Sequence, residues 1–568
     1  MTSSGRVTLA AVAPDGRYVA YVTNDGLGRS VWLEQIETRS RLQIAPPSQA
    51  KYAGLAFSRD GNYVYFTRYD TYPFGGLFRV PILGGKPEVI VHDVDTLPAF
   101  SPDGAHLAFV RDDYNRATST LYVTNVDGSG ERSLSSSRIP RRFSSPSWAP
   151  DGKHLVAVDE GSLAEIAWPS GQRRDLSTQV HFQRIGSVTW MPDGSLVVAA
   201  AGESGGDHIR LWRIDPESGR SRPLTDELSS VYAPSVTADG STIAALQVIR
   251  QASLFAVDEA GGGVHQLTTG VGSADGLGGV AWAGDRVVYS SAADGNADLW
   301  SVDPRGGEAT RLTTEETADV TPTTAPDGSL VVYHAVKGKQ YSLWCMRPDG
   351  SERRALTGGE MDGDFAVSPD SKTLAWASLD KPSNEWVLWT MPLAGGPRRR
   401  LTSRRSVLDQ IRYTPDGKTI LFTGYENTHV VIFRIASAGG TATALTAGPS
   451  FDAGVSPDGK TVSCAFGKVH EEQSPLGLMS FNDPSRVRTI EVKGGDYRWR
   501  DGNTISFIRD ENGTRNLCLQ SVAGGPPRKL TTFSDGSIAD YAWSRDGRRA
   551  VVAHFVDSVD VVLLRTGR

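Results

Sequence analysis

The chain has 568 residues, 39% of them hydrophobic and 8% aromatic, a globular composition too long for one ordinary core. Its 59 basic and 65 acidic residues leave a formal net charge of -6, which argues against a nucleic-acid platform. Cys345, Cys464 and Cys518 each fall in an apolar run, the setting of small buried hydrophobes rather than of a disulfide scaffold.

The N-terminal stretch MTSSGRVTLAAVAPDG has no apolar core long enough for an export signal, and no later segment reaches membrane-spanning length. The expectation is a cytoplasmic chain, or one whose leader or anchor lies outside the given sequence. From Val7 onward one unit repeats. An apolar strand leads to x-Pro-Asp-Gly, a second apolar strand follows, then a strand often holding Leu-Trp, and a short strand ending Leu-Thr. The turn recurs at Ala13, Ser58, Ser101, Ala149, Met191, Thr237, Ala283, Ala325, Ser368, Thr414, Ser456, Arg500 and Ser544, thirteen units in all. A period of about 42 to 48 residues is that of a four-stranded blade.

The turn chemistry supports the same reading. Pro sets φ for the first turn position, Asp bonds the amides that follow, and Gly takes the left-handed position. Each Pro-Asp-Gly therefore joins strands one and two of a blade, and its Asp is structural. Third-strand aromatics such as Trp32, Phe78, Trp300, Trp344 and Phe433 are expected between neighbouring blades, where large rings carry much of the adhesion. The fold class is all-β, a tandem of β-propellers. Propellers close with four to eight blades, so thirteen repeats divide as six plus seven.

An evenly spaced carboxylate series places the division. Asp275, Asp319, Asp364, Asp409, Asp452, Asp496 and Asp540 precede the first strands of the last seven units, and the first six lack the feature. Residues 1–269 are thus expected as a six-bladed ring and 270–568 as a seven-bladed ring. Unit thirteen has no outer strand of its own. Val264–Thr268 could supply it, leaving Met1–Arg6 to complete the sixth blade. The seven Asp residues are the candidate binding site. Around one channel mouth they would focus a negative potential on a cation or basic peptide. Alternatively, each bonds backbone amides and fixes blade registration, a reading that repetition favours.

Other motifs lack the context their chemistry needs. Gly202–Gly206 matches Gly-x-Ser-x-Gly but runs into a strand rather than a helix. Nucleotide loops, kinase signatures and metal-spaced His pairs are missing, so no catalytic residue, metal or cofactor is assigned. Arg138, Arg141, Arg142, His181 and Arg184 form a basic loop cluster that could receive an anion, although a solvated loop is the simpler reading.

The unit SPDG…LAFV…LYVTNVDGSGERSL resembles the repeat of the TolB β-propeller family over essentially the whole chain. Arg6–Val22, Gly54–Phe66 and Tyr541–Arg565 are similar to the propeller regions of bacterial receptor-type serine/threonine kinases and winged-helix regulators. That resemblance implies a sensory or interaction module, often extracytoplasmic and tethered to a membrane-anchored kinase or regulator in a longer protein. The expected partner is a protein, peptide or small molecule at a channel mouth, with no nucleic acid and no membrane span. The competing reading is an enzyme, either a carbohydrate-active hydrolase or lyase or a peptidase-associated propeller, whose site is scattered over several blades.

Overall fold

The turn dictates the fold. The computed structural model describes residues 2 and 5–566 apart from 25–27, 72–73, 114–115, 117, 140, 203–208, 226–228, 260–262, 270–272, 339, 360, 382–384, 403–406, 427–428, 467–473 and 512. In the third blade Ser101 Oγ donates to Asp103 Oδ1 at 2.5 Å, and the Ala105 N–H donates to the same oxygen at 3.0 Å. Gly104 closes the turn at a φ of 71°, which a side chain would strain. The hydroxyl–carboxylate pair recurs at Ser58/Asp60, Thr237/Asp239, Ser368/Asp370, Thr414/Asp416, Ser456/Asp458 and Ser544/Asp546. Bonds from the Thr237 hydroxyl and the Ser241 amide hold Asp239 down at a pKa of about 2. These aspartates are spent on turn geometry.

Antiparallel hairpins follow from each turn. Blade one runs Val7–Val12, Tyr18–Asn24, Arg29–Gln35 and Arg41–Ser48 in that order, and the other blades repeat it. Among the described residues the structure is all-β. Strands two are the most buried: Val64, Phe66, Leu107, Phe109, Leu421 and Phe422 are fully enclosed, as expected of sheets covered on both faces. Third-strand rings stack on second-strand rings of their own blade, as in Phe66–Phe78 at 5.7 Å and Phe422–Phe433 at 5.4 Å. Such pairs add about 0.5–1.5 kcal/mol each beyond area burial. They also reach between blades: Phe433 shares a cluster with Ala375, Ala377 and Leu388 of the preceding blade.

Two compact units result. The first comprises Met1–Arg250 with Asp557–Arg568, the second Gln251–Val556. The first holds six blades and closes on itself, since the Val12 N–H of blade one donates to Ser235 Oγ of blade six at 3.1 Å. The second holds seven and closes likewise: Val280 N–H donates to Asp540 Oδ2 at 3.0 Å, and Trp282 Nε1 to the Ala542 carbonyl at 3.0 Å. Within it, Val487–Trp499 serves as the last strand of one blade and the first of the next.

The division differs from the expected limit at residue 269. The chain changes unit inside two unbroken 17-residue strands, Thr242–Asp258 and Arg549–Arg565. The first half of Thr242–Asp258 is the second strand of blade six, and its second half the third strand of blade thirteen. Arg549–Arg565 does the reverse, and its C-terminal half returns to the first unit. The outer strand of blade thirteen is Gly263–Gln266, paired with Phe255–Asp258. On blade six, the Gly5 carbonyl accepts the Val559 N–H at 3.1 Å, and Thr2 Oγ1 accepts the Val561 N–H at 2.9 Å.

Candidate functional site

The first strand of every blade carries the channel-facing chemistry, and its path is irregular. Many first strands shift register near the position four residues before the turn motif, for example between Ser144 and Ser147, Asp409 and Arg412, and Phe451 and Gly454. Such bulges re-aim a side chain. That position is left-handed at Ser145, Ala233, Thr321, Gln410, Asp452 and Asp496.

The bulges show that the evenly spaced Asp series is not one structural set. Asp364, Asp452, Asp496 and Asp540 lie four residues before their turns, whereas Asp319 lies six before its own. The residue equivalent to Asp319 in the next blade is Asp362, also buried. Asp275 precedes its strand, buried with Ser291 Oγ donating to it at 2.7 Å. The Asp409 side chain lies outside the described residues.

At the bulge position the carboxylates act as clasps between blades. Asp364 Oδ2 accepts the Ile411 N–H at 2.6 Å, Asp452 Oδ2 the Tyr497 N–H at 2.7 Å, and Asp540 Oδ2 the Val280 N–H. Gln410 does the same for the Asp452 N–H. Arg498 binds Asp496 at 2.8 Å and Asp540 at 2.7 Å, and Arg412 lies 3.7 Å from Asp364. Three of the second ring's aspartates thus face an arginine, and Asp452 is bonded to a backbone amide. Burial, reinforced by the neighbouring Asp496, pushes Asp452 up to about 6.

The buried position has different partners. Asp319 is 1% exposed and accepts Thr317 Oγ1 at 3.0 Å. Burial, then the charges of Asp298 and Glu315, raise it to about 7 against the hydrogen bonds of Thr313 and Thr317. Asp298, missed in the sequence, is fully buried against Arg311 at 2.5 Å and Thr313 Oγ1 at 3.1 Å. The Leu-Thr ending of many repeats was its signal: that Thr caps the third strand, as Thr313 does for Leu299 N–H at 2.9 Å and Thr357 for Leu343 N–H at 2.8 Å. Among the described residues, no group of His, Cys, Asp and Glu is arranged to hold a metal ion.

The basic loop cluster is partly neutralised. Arg141 pairs with buried Asp159 at 3.1 Å and Arg142 lies 3.8 Å from Asp112, while Arg138, His181 and Arg184 are exposed. Ser204 of the Gly-x-Ser-x-Gly match lies outside the described residues. All three cysteines are free and buried, as expected.

The first ring differs at the same level. Its bulge-position residues are Leu9, Gly54, Leu97, Ser145, Ser187 and Ala233, and they line a central cavity of about 510 Å³. The walls add Phe57, Trp148, Trp190 and Met191, and turn prolines Pro14, Pro102, Pro150 and Pro192 edge the cavity. In the second blade the turn reads Ser-Arg-Asp-Gly, so Arg59 stands where blades one, three, four and five carry Pro. Among the described residues it is the one charged residue lining the cavity. Arg59 is exposed, and its Nε donates to the Ser101 carbonyl at 3.4 Å.

The family model for the TolB beta propeller domain matches residues 2–227, 92–312 and 229–391, together more than half the chain. Tricorn protease homolog 1 of Streptomyces coelicolor is 29% identical over 201 residues, 33% of this chain and 18% of that protein. The uncharacterized peptidase YuxL of Bacillus subtilis is 30% identical over 146 residues, 26% of this chain and 20% of that protein. The chain thus spans a fifth or less of these curated relatives. Among solved structures, TolB from Acinetobacter baumannii aligns at 15% identity and a TM-score of 0.34, covering 65% of this chain and 79% of that one. The tricorn protease aligns at 14% identity and a TM-score of 0.32, covering 87% and 59%.

Proposed function

The chain belongs to the TolB beta propeller domain family, and we propose that it is a non-catalytic binding module whose ligand site is the central cavity of the six-bladed ring. One observation carries this reading: the first ring encloses a cavity of about 510 Å³, lined by both apolar and hydroxyl side chains, and its bulge positions hold Leu9, Gly54, Leu97, Ser145, Ser187 and Ala233, whereas Asp364, Asp452 and Asp540 at that position of the second ring bond the next blade's backbone. That volume suits a small molecule or a few side chains of a peptide. The walls come from the first strands and following turns of all six blades. Among the described residues the lining sets apolar side chains beside Ser and Thr hydroxyls, with no His, Asp, Glu or Lys to activate a hydroxyl as nucleophile.

The resemblance to receptor-kinase propellers would make the module sensory and extracytoplasmic, with occupancy of the cavity as its signal. Among the described residues no helix is long and apolar enough to cross a membrane. A second reading is favoured by the names of the curated relatives, a tricorn protease homolog and a peptidase. There the propeller would admit or hold peptides for a catalytic part elsewhere. Titration with the neutral probe 1-naphthylacetamide, followed by saturation-transfer NMR, tests the site. Saturable binding that is lost in Ser187→Phe is expected, because the new ring fills the cavity. No binding, or unchanged binding in Ser187→Phe, would overturn the proposal. Peptide hydrolysis by the chain alone would overturn its non-catalytic character.

A further inference from the structure

We propose that the first-ring cavity selects ligands bearing one carboxylate on an apolar body, and that Arg59 is the anchor for that carboxylate. The inference deepens the cavity reading above and rests on it.

Three observations converge on Arg59. Among the described residues, the lining of the cavity of about 510 Å³ includes no Asp or Glu and Arg59 as its one cation. Its side chain donates one long hydrogen bond, Nε to the Ser101 carbonyl at 3.4 Å, and among the described residues it forms no ion pair. Several other first-ring arginines are paired, among them Arg17 with Asp15, Arg79 with Glu88, Arg111 with Glu131, Arg173 with Asp159 and Arg213 with Asp193, and none of these lines the cavity. A guanidinium presents five donors in a planar fork, so most of its hydrogen-bonding capacity at this mouth is uncommitted.

The chemistry of the occupant follows. A guanidinium takes a carboxylate through two parallel N–H···O bonds, with geometric as well as electrostatic selection. Leu9, Leu97, Phe57, Trp148 and Met191 on the walls favour an apolar body by removing its surface from water, while Ser145, Ser147, Ser187 and Ser235 add neutral hydroxyls that bring no charge to compete with Arg59. A dianion would be left with one charge unpaired among these walls, and a cation would face Arg59. A single negative charge at one end of an apolar group satisfies both parts. The local sequence carries the same message, since Arg replaces the turn Pro at this edge of the first ring, where blade six has Ala238.

The carboxylate could belong to a free organic acid or to an acidic side chain of a peptide. The test uses matched pairs on the full chain: 1-naphthylacetate against 1-naphthylacetamide, and a tetrapeptide blocked at both ends with one Glu among Leu residues against its Gln counterpart. Quenching of Trp148 and Trp190, which line the cavity, reads binding. At least a tenfold preference for one acid over its neutral partner is expected, and whichever pair shows it identifies the source. The preference should vanish in Arg59→Gln, with affinity for the neutral partner and the thermal midpoint unchanged, and should be partly restored in Arg59→Lys. Equal affinity for acid and amide would overturn the anchor while leaving the cavity reading intact. Failure of every probe to bind would overturn both. A preference that persists in Arg59→Gln would place the anchor elsewhere and overturn this assignment.

Discussion

Asp452 and Tyr497 lie 45 residues apart on adjoining blades, and the Asp452 carboxylate accepts the Tyr497 backbone N–H at 2.7 Å. The bond ties the bulge of one first strand to the first strand of the next. Tyr497 is buried, so its amide has little access to water as a substitute. Asp452→Ala is expected to cost about 1–3 kcal/mol, the penalty of orphaning a buried donor. Asp452→Asn keeps an acceptor and removes a charge repelled by Asp496, so it should recover most of that loss at neutral pH. Denaturant unfolding of the two variants checks this. Equal losses would show that charge, not the acceptor, matters.

Asp319 carries the strongest pH signature. Its folded pKa of about 7 stands above the ordinary 3.8. The folded state therefore binds more protons than the unfolded state between those values, and stability falls as pH rises from about 4 to about 7. Arg311 and Asp298 face the same buried cluster, with Glu315 at its edge. Chemical denaturation at pH 5 and pH 8 should show the seven-bladed unit more stable at the lower value. Asp319→Asn should flatten that difference and raise stability at pH 8 by on the order of 2–4 kcal/mol, the scale of the free energy that such a raised carboxyl represents. An unchanged pH profile in Asp319→Asn would assign the dependence to another group.

The repeat was legible because its turn is local: hydroxyl, Pro, Asp and Gly act within a few residues, and Asp103 does in space what its neighbours in sequence require. The Asp series was legible as a period and not as a position. A bulge between Phe451 and Gly454 and another between Asp409 and Arg412 shift which residue reaches the channel, so equal spacing joined unlike sites. The change of unit inside Thr242–Asp258 left no mark, because an apolar strand reads the same whichever sheet it enters. Arg59 was visible as a departure from Pro, but only the closed ring places it on a cavity.

The return of the C-terminal strand makes its own prediction. Val561 is fully buried in a cluster with Val7, Val12, Ala244 and Leu246, all of the first unit. Val561→Ala should therefore destabilise the six-bladed unit by about 2–3 kcal/mol, from lost burial and the cavity left behind. Differential scanning calorimetry should show the transition of that unit lowered and the other held. A drop confined to the seven-bladed unit would contradict the assignment of residues 557–568.

Gly54 sets the shape of the proposed ligand cavity. A Cβ built there would fall 2.2 Å from the Leu97 Cα of the next blade, a separation that backbone cannot relieve by rotating a side chain. Only hydrogen lets blades two and three approach this closely on the channel wall. Gly54→Ala must push the two first strands apart, at a cost of about 1–3 kcal/mol or more for overpacking. The same displacement moves Leu97 and, through Ser101, the carbonyl that receives Arg59. Gly54→Ala is therefore expected to weaken probe binding to the first ring while leaving the pH dependence set by Asp319 untouched. The matching control is Gly161→Ala, away from the cavity lining, where a Cβ meets open space but φ is left-handed at 77°. That variant should lower stability without altering binding. A loss of binding there equal to that of Gly54→Ala would show that general destabilisation, not wall geometry, governs the site.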